Sequence, residues 1–153
     1  MAINVSVEAV PARTLAAVRR KIRIEQIGAA WRPALDQVWQ FLSQHPGLRG
    51  DGHNVFLYHH PANMQSPMDI DFGVQVTGSF QKEGEVFAVT TPSGKVATAT
   101  HVGPYERLGE THGAIHAWAA ANKITFAGKS WEIYGDWSDD PWKLETRVEY
   151  LLA

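Results

Sequence analysis

Ser130-Trp131-Glu132-Ile133-Tyr134-Gly135-Asp136-Trp137 decides how the rest of this 153-residue chain is read. Gly128 precedes the stretch and Ser138-Asp139-Asp140-Pro141 follows it, so it reads as a bounded strand. Alternation puts Glu132, Tyr134 and Asp136 on one face, and Trp131, Ile133 and Trp137 on the other. Trp131 and Ile133 make a core face, which leaves a carboxylate and a phenol side by side on the opposite one. A tryptophan-rich strand belongs inside a sheet, where a partly buried Glu132 is costly unless paired. Buried carboxylates of that kind mark functional sites. The plainer alternative is a surface glutamate on a half-exposed strand.

Working outward, residues 3–10 alternate Ile3, Val5 and Val7 with polar neighbours, and 14 to about 24 reads as a second strand after the Pro11 turn. The basic cluster Arg19-Arg20-Lys21 with Arg23 reads as a solvated edge or, alternatively, an anion site. From about 25 to 44 the spacing becomes helical through Ile27, Ala30, Trp31, Ala34, Leu35, Val38, Trp39 and Leu42. Pro33 within it predicts a kink or a start near Arg32. A polar link at 49–52 leads to a strand at about 54–60, a loop at 61–67 and a cleanly alternating strand through Met68, Ile70, Phe72, Val74 and Val76. After a polar connector at 78–85 the order recurs. Strands at 86–91 and 95–102 precede a helix at about 105–122 containing Gly109 and Gly113, the Ser130 stretch, and a last strand through Leu144, Thr146, Val148 and Tyr150.

The chain therefore states one pattern twice, with pseudo-repeats at about 1–78 and 84–153. Thr14-Leu15-Ala16-Ala17-Val18 mirrors Lys95-Val96-Ala97-Thr98-Ala99, and Phe56-Leu57-Tyr58 mirrors Glu132-Ile133-Tyr134. The expected fold is α+β, with duplicated strand-helix-strand-strand modules forming one antiparallel sheet of about eight strands. Two helices lie on one face of it, with a groove between them where ligands bind.

Composition narrows the function. An apolar fraction of 44% and a charged fraction of 20% are those of a globular protein with a substantial core. A net charge of -2 gives no electrostatic basis for direct nucleic-acid binding. No apolar run is long enough to span a bilayer, and the N-terminus lacks the regions of a signal peptide, so no membrane association and a cytoplasmic location are expected. The absence of cysteine excludes disulfides, thiol catalysis and cysteine-ligated metals. No phosphate loop or serine–histidine–aspartate order is visible, and no cofactor is implied. His112 and His116 share a helix face, as zinc-binding pairs do, and Glu132 could supply a third ligand. Gly113 replaces the glutamate of a metalloprotease motif, so the pair reads instead as solvent-facing or groove-edge, and no metal is expected.

Four motifs in order carry a resemblance. They are Met68-Asp69-Ile70-Asp71-Phe72-Gly73-Val74, His101-Val102-Gly103-Pro104-Tyr105-Glu106-Arg107-Leu108, Trp131-Glu132-Ile133-Tyr134, and Leu144-Glu145-Thr146-Arg147-Val148-Glu149-Tyr150-Leu151. Together they resemble the gyrase-inhibitor-like (GyrI-like) family, which includes the effector-binding domains of AraC-type and MerR-type transcription regulators. The family often ends in proline-leucine, whereas this chain ends Leu151-Leu152-Ala153. The resemblance implies a multidrug-type pocket between the helices, on a duplication of the SHS2 kind, with Glu132 as the acidic residue and Tyr134 on its face. In the regulators that glutamate resembles a counter-ion for cationic aromatic drugs. Some stand-alone members hydrolyse cyclopropane-bearing natural products with the same glutamate and a tyrosine.

Three readings follow. In the first, this is a stand-alone binder of aromatic, amphipathic or cationic small molecules, with Glu132 and Tyr134 joined by Tyr58, Phe56, Tyr105, Trp31, Trp39 and Trp118 as candidate walls. Each tryptophan has the alternative of plain core. In the second it is a hydrolase, with Glu132 activating water and Tyr134 or Tyr105 assisting. The third is a protein-interaction module of topoisomerase-inhibitor type. No helix-turn-helix precedes residue 3, so the domain is expected to act alone or through a regulator or by self-association.

Overall fold

The computed structural model describes residues 3–63 and 65–153. The first two residues, read above as part of a leaderless N-terminus, and Met64 in the 61–67 loop lie outside the described residues. The elements run β1 (Ser6–Val10), β2 (Thr14–Ile22), α1 (Ile27–Gln44), β3 (Arg49–His59), β4 (Met68–Val76), β5 (Phe87–Thr90), β6 (Gly94–Val102), α2 (Leu108–Ala121), β7 (Phe126–Tyr134) and β8 (Glu145–Leu152). The strands form one eight-stranded sheet in the order β1-β6-β8-β7-β3-β4-β2-β5. All its pairings are antiparallel.

This order reads the same from either edge once the halves are exchanged, so a pseudo-two-fold axis runs through the β3–β7 pair. The registers obey it. Phe56 pairs with Phe72, and 76 residues on Glu132 pairs with Val148. Leu15 pairs with Gln75, and its counterpart 81 residues on, Val96, pairs with Leu151. The same separation of 81 relates the helix starts, Ile27 and Leu108, and the 3-10 turns before them, Ile24–Gln26 and Tyr105–Arg107. Each half also lends its first strand to the other, because β1 pairs with β6 and β5 with β2. At the axis Phe56 and Glu132 are direct cross-strand partners.

Both helices cover the same sheet face. Ala34, Leu35, Val38, Phe41 and Leu42 of α1 pack on Phe56, Ile70, Phe72 and Val74. Leu108 and Ile115 of α2 pack on Ala97, Ala99 and Val148. Full burial of each of the larger of these, the valine, leucine, isoleucine and phenylalanine side chains, stabilises by about 1.5–3 kcal/mol. The opposite face carries Leu15, Val55, Leu57, Val96 and Trp131, none more than 1% exposed. Val10 and Val89 of the edge strands, with Ile133 and Leu151, pack against that cluster.

Several boundaries differ from the sequence reading. Helix α1 runs unbroken through Pro33 instead of starting near Arg32. Pro33 is exposed, so its ring meets solvent and not a packed neighbour. Strand β3 takes in the 49–52 link through a register shift between Arg49 and Asn54. Strand β7 begins at Phe126, with the equivalent shift between Phe126 and Ser130. Gly128 sits in that irregularity at φ +88°, which a side chain would disfavour. β7 ends at Tyr134, so Trp137 leaves the core face assigned to it and is 74% exposed. The basic edge is held in ion pairs, Arg19 with Asp71, Arg20 with Glu85 and Lys21 with Asp69. Among the described residues no helix is long and apolar enough to cross a membrane.

Candidate functional site

Register places everything around Glu132. Its direct partners are Phe56 in β3 and Val148 in β8, and the next pairs along are Tyr58 with Ser130 and Ser130 with Tyr150. Residues two apart share a face, so Tyr58, Tyr134, Ser130 and Tyr150 all point with Glu132 toward the helices. Glu132 is only 4% exposed, and its acceptors are taken up by neighbours. Oε1 receives the hydroxyls of Tyr58 at 2.5 Å and Tyr134 at 2.7 Å. Oε2 lies 2.6 Å from Nε2 of His112, whose Nδ1 is 2.7 Å from the Tyr150 hydroxyl.

The phenols fix the proton positions. Burial, reinforced by the Glu132 charge, pushes Tyr58 and Tyr134 well above the ordinary tyrosine value, and does the same to Tyr150. All three are therefore neutral donors at physiological pH. A carboxylate only accepts, so Nε2 of His112 donates to Glu132 Oε2, while Nδ1 faces the Tyr150 hydroxyl. A buried carboxylate with three donors meets the requirement that buried charge be paired.

Above this network is a cavity of about 950 Å³ lined by Ile24, Ile27, Tyr58, His60, Met68, Tyr105, Leu108, Gly109, His112, His116, Phe126, Ser130, Glu132, Tyr134 and Tyr150, among others. Its walls are mainly apolar, and Glu132 is the buried acid at its floor. Burial, followed by the fields of His116, His112 and His59, holds His60 below the ordinary histidine value of 6.5. Burial and His112 lower His116 in the same way. Gly109, noted in the sequence for its helix cost, has no atom within 4 Å of the point where a Cβ would stand, and the open space is this cavity.

The candidates named from the sequence divide. Glu132, Tyr134, Tyr58 and Tyr105 meet in the cavity. Phe56, Trp31 and Trp39 do not line it. They line a second hollow on the other side of the axis, although Phe56 is the cross-strand partner of Glu132. The Phe56 ring packs against Trp31, Phe72 and Tyr134, with centroids 6.4, 4.9 and 4.9 Å away. Trp118 packs on the core beneath α2 and lines neither hollow. Sequence reasoning put His112 with Glu132 only as part of a metal-ligand set that it rejected, and it missed the hydrogen-bonded chain through His112 to Tyr150. The i,i+4 pair His112 and His116 was visible, but its tie to Glu132 depends on where α2 lies over β7. Among the described residues no group of three histidine, aspartate or glutamate side chains is placed to hold a metal ion.

Residues 3–151 match the family model of the GyrI-like small molecule binding domain. The chain belongs to the GyrI-like family. Solved structures agree on the fold. The C-terminal domain of EcmrR superimposes with a TM-score of 0.82 at 19% identity, over 100% of this chain and 99% of that one. SAV2435 bound to tetraphenylphosphonium gives 0.69 at 14% identity, over 98% and 94%. A hydrolase from Listeria innocua gives 0.65 at 14% identity, over 97% and 91%. A search of curated protein sequences returned no match. In this GyrI-like domain the two halves of the groove are chemically unlike, because Glu132 and His112 stand where the register and helix starts put Phe56 and Trp31 in the first half.

Proposed function

We propose that this GyrI-like domain binds cationic aromatic or amphipathic small molecules in the Glu132 cavity, with Glu132 as counter-ion. The observation that carries the reading is a carboxylate 4% exposed at the floor of a cavity of about 950 Å³ with mainly apolar and aromatic walls. A delocalised cation there is attracted both by the charge and by the faces of Tyr105, Tyr134 and Phe126. The size falls within the range of small-molecule pockets. The structure of SAV2435 with tetraphenylphosphonium, a compact aromatic cation, supports the choice of probe.

The test is a titration with tetraphenylphosphonium followed by tryptophan fluorescence. Glu132→Gln is expected to weaken binding by tenfold or more, about 1.4 kcal/mol or above. Equal affinity in the variant with unchanged circular dichroism removes the counter-ion role.

Acidification supplies an independent check. His60 and His116 are held below 6.5, so each is neutral above that value and gains a proton as the pH falls beneath it. Positive charge beside the cavity opposes a bound cation. Affinity for tetraphenylphosphonium is thus expected to be highest above pH 7 and to fall toward pH 5. By linkage, the unfolded chain takes up these protons first, so their contribution to stability is lost as the pH drops from 6.5 through the depressed values. An affinity that is flat from pH 8 to 5 contradicts the arrangement.

Hydrolysis is the second reading, favoured by the Tyr150–His112–Glu132 chain of hydrogen bonds. Glu132 would take a proton from water as the water oxygen bonds to a strained ring carbon and the ring C–C bond breaks, and it would then return that proton to the released carbon, so that water is added across the bond. Three donors already occupy the carboxylate, out of roughly four acceptor sites. A catalytic water would therefore take the remaining site or displace a donor. Turnover of a cyclopropane-bearing substrate that disappears in Glu132→Gln supports hydrolysis, and binding without turnover supports the first reading. The open cavity offers nothing specific to the protein-interaction reading.

A further inference from the structure

The hollow that takes up Trp31, Trp39 and Phe56 is the pseudo-symmetric twin of the Glu132 cavity. Its volume is about 630 Å³. Gly28 lines it where Gly109 lines the other, 81 residues on, and nothing lies within 4 Å of the point where either would carry a Cβ. Ile27, Tyr105 and Tyr134 line both, so the two are neighbouring halves of one groove. Duplication has kept the concavity and exchanged its chemistry. Phe56 occupies the place of Glu132, and Trp31 that of His112.

The charge is exchanged as well. The Arg32 guanidinium lies 5.1 Å from the centre of the Trp31 ring, on the hollow's wall. The lining carboxylate, Asp136, has a side chain 97% exposed to solvent, 3.2 Å from the lining His53. Among the described residues Arg32 itself forms no ion pair. The walls therefore combine indole faces at Trp31, Trp39 and the 74%-exposed Trp137 with a guanidinium and no buried acid. A guanidinium stacked on an indole is a platform for a planar anion, because it can pair with a carboxylate or sulfonate while the rings cover the ligand's face.

We propose that this hollow is a second small-molecule site, selective for planar aromatic anions such as aromatic carboxylates and sulfonates. It is opposite in charge preference to the Glu132 cavity and able to be filled at the same time. The two shared tyrosines make the partition between them.

The probe is 8-anilinonaphthalene-1-sulfonate, titrated against the full chain by its fluorescence, alone and with saturating tetraphenylphosphonium. Wild type is expected to bind one equivalent saturably. Arg32→Glu, on an exposed helix position, is expected to weaken binding tenfold or more with near-ultraviolet circular dichroism unchanged. Arg32→Lys, which keeps the charge but loses the planar fork, is expected to bind with an affinity between those of wild type and Arg32→Glu. The proposal is overturned by absence of saturable binding, by equal affinity in Arg32→Glu, or by competitive displacement with tetraphenylphosphonium. Failure of tetraphenylphosphonium to bind at all would count against the Glu132 reading only, because the sulfonate titration remains interpretable without it.

Discussion

Phe56→Glu, which would make the groove symmetric, is expected to destabilise the fold by about 4 kcal/mol or more at pH 7.5. Phe56 is 5% exposed and lies directly across from Glu132 in the β3–β7 register. Directly opposed side chains have Cβ atoms about 4.5–5.5 Å apart, where like charges repel. The new carboxylate would also lose the ring contacts with Trp31, Phe72 and Tyr134. The pH dependence identifies the cause. Burial beside Glu132 raises the new carboxyl above its unfolded value of about 4.3. Such a group adds to stability fully below 4.3, and the contribution is lost as the pH rises through its raised folded value. Urea denaturation of the variant is therefore expected to give greater stability relative to wild type at pH 5 than at pH 7.5. Phe56→Leu, which keeps the site apolar, should show no such trend. A Phe56→Glu protein equally stable at both pH values defeats the repulsion argument. The same electrostatics explain the asymmetry of the pair. A duplicated scaffold that places one position on its axis can hold one carboxylate there but is strongly penalised by two.

Trp131→Ala carries the second large effect, an expected loss of about 5 kcal/mol. The side chain is 1% exposed, on the face of the sheet that no helix covers. Truncating a buried tryptophan costs about 3–5 kcal/mol in lost burial and cavity formation. The indole also donates to Glu149 Oε1 at 2.5 Å, and Glu149 is fully buried. Its other oxygen is held by Arg147 at 2.6 Å. Removing a donor from a buried acceptor adds about 1–3 kcal/mol. For a chain of this length the melting temperature should fall by about 10–20 °C. Trp131→Phe separates the terms, since it keeps most of the apolar volume and loses only the N–H, and is expected to cost about 2 kcal/mol. A Trp131→Ala protein within 1 kcal/mol of wild type would show that the strand is not anchored through this residue. Because Glu132 follows Trp131, that anchor also fixes which face of β7 the carboxylate takes, and a one-residue slip would turn it away from the helices.

Much of this was legible in the residues. Period-two alternation through Met68–Val76 and Trp131–Tyr134, and helical spacing from Ile27 to Leu42, specify which face each side chain takes, because the periodicity of each element is local. The recurrence of Leu15–Val18 as Val96–Ala99 and of Phe56–Tyr58 as Glu132–Tyr134 was enough to determine the duplication, the antiparallel sheet with two helices, and Glu132 and the two tyrosines on one face.

Only the tertiary structure decided who meets whom. No local period encodes strand neighbours, so the exchange that pairs β1 with β6 and β5 with β2 was invisible. The β3–β7 register sets Phe56 against Glu132, and the placement of α2 brings His112 to the carboxylate while α1 draws Trp31 to the other side. These depend on long-range packing and on cross-strand hydrogen bonds between segments some 75 residues apart in sequence. The groove expected from the sequence has for that reason two unlike halves, one floored by a buried carboxylate and one walled by indoles.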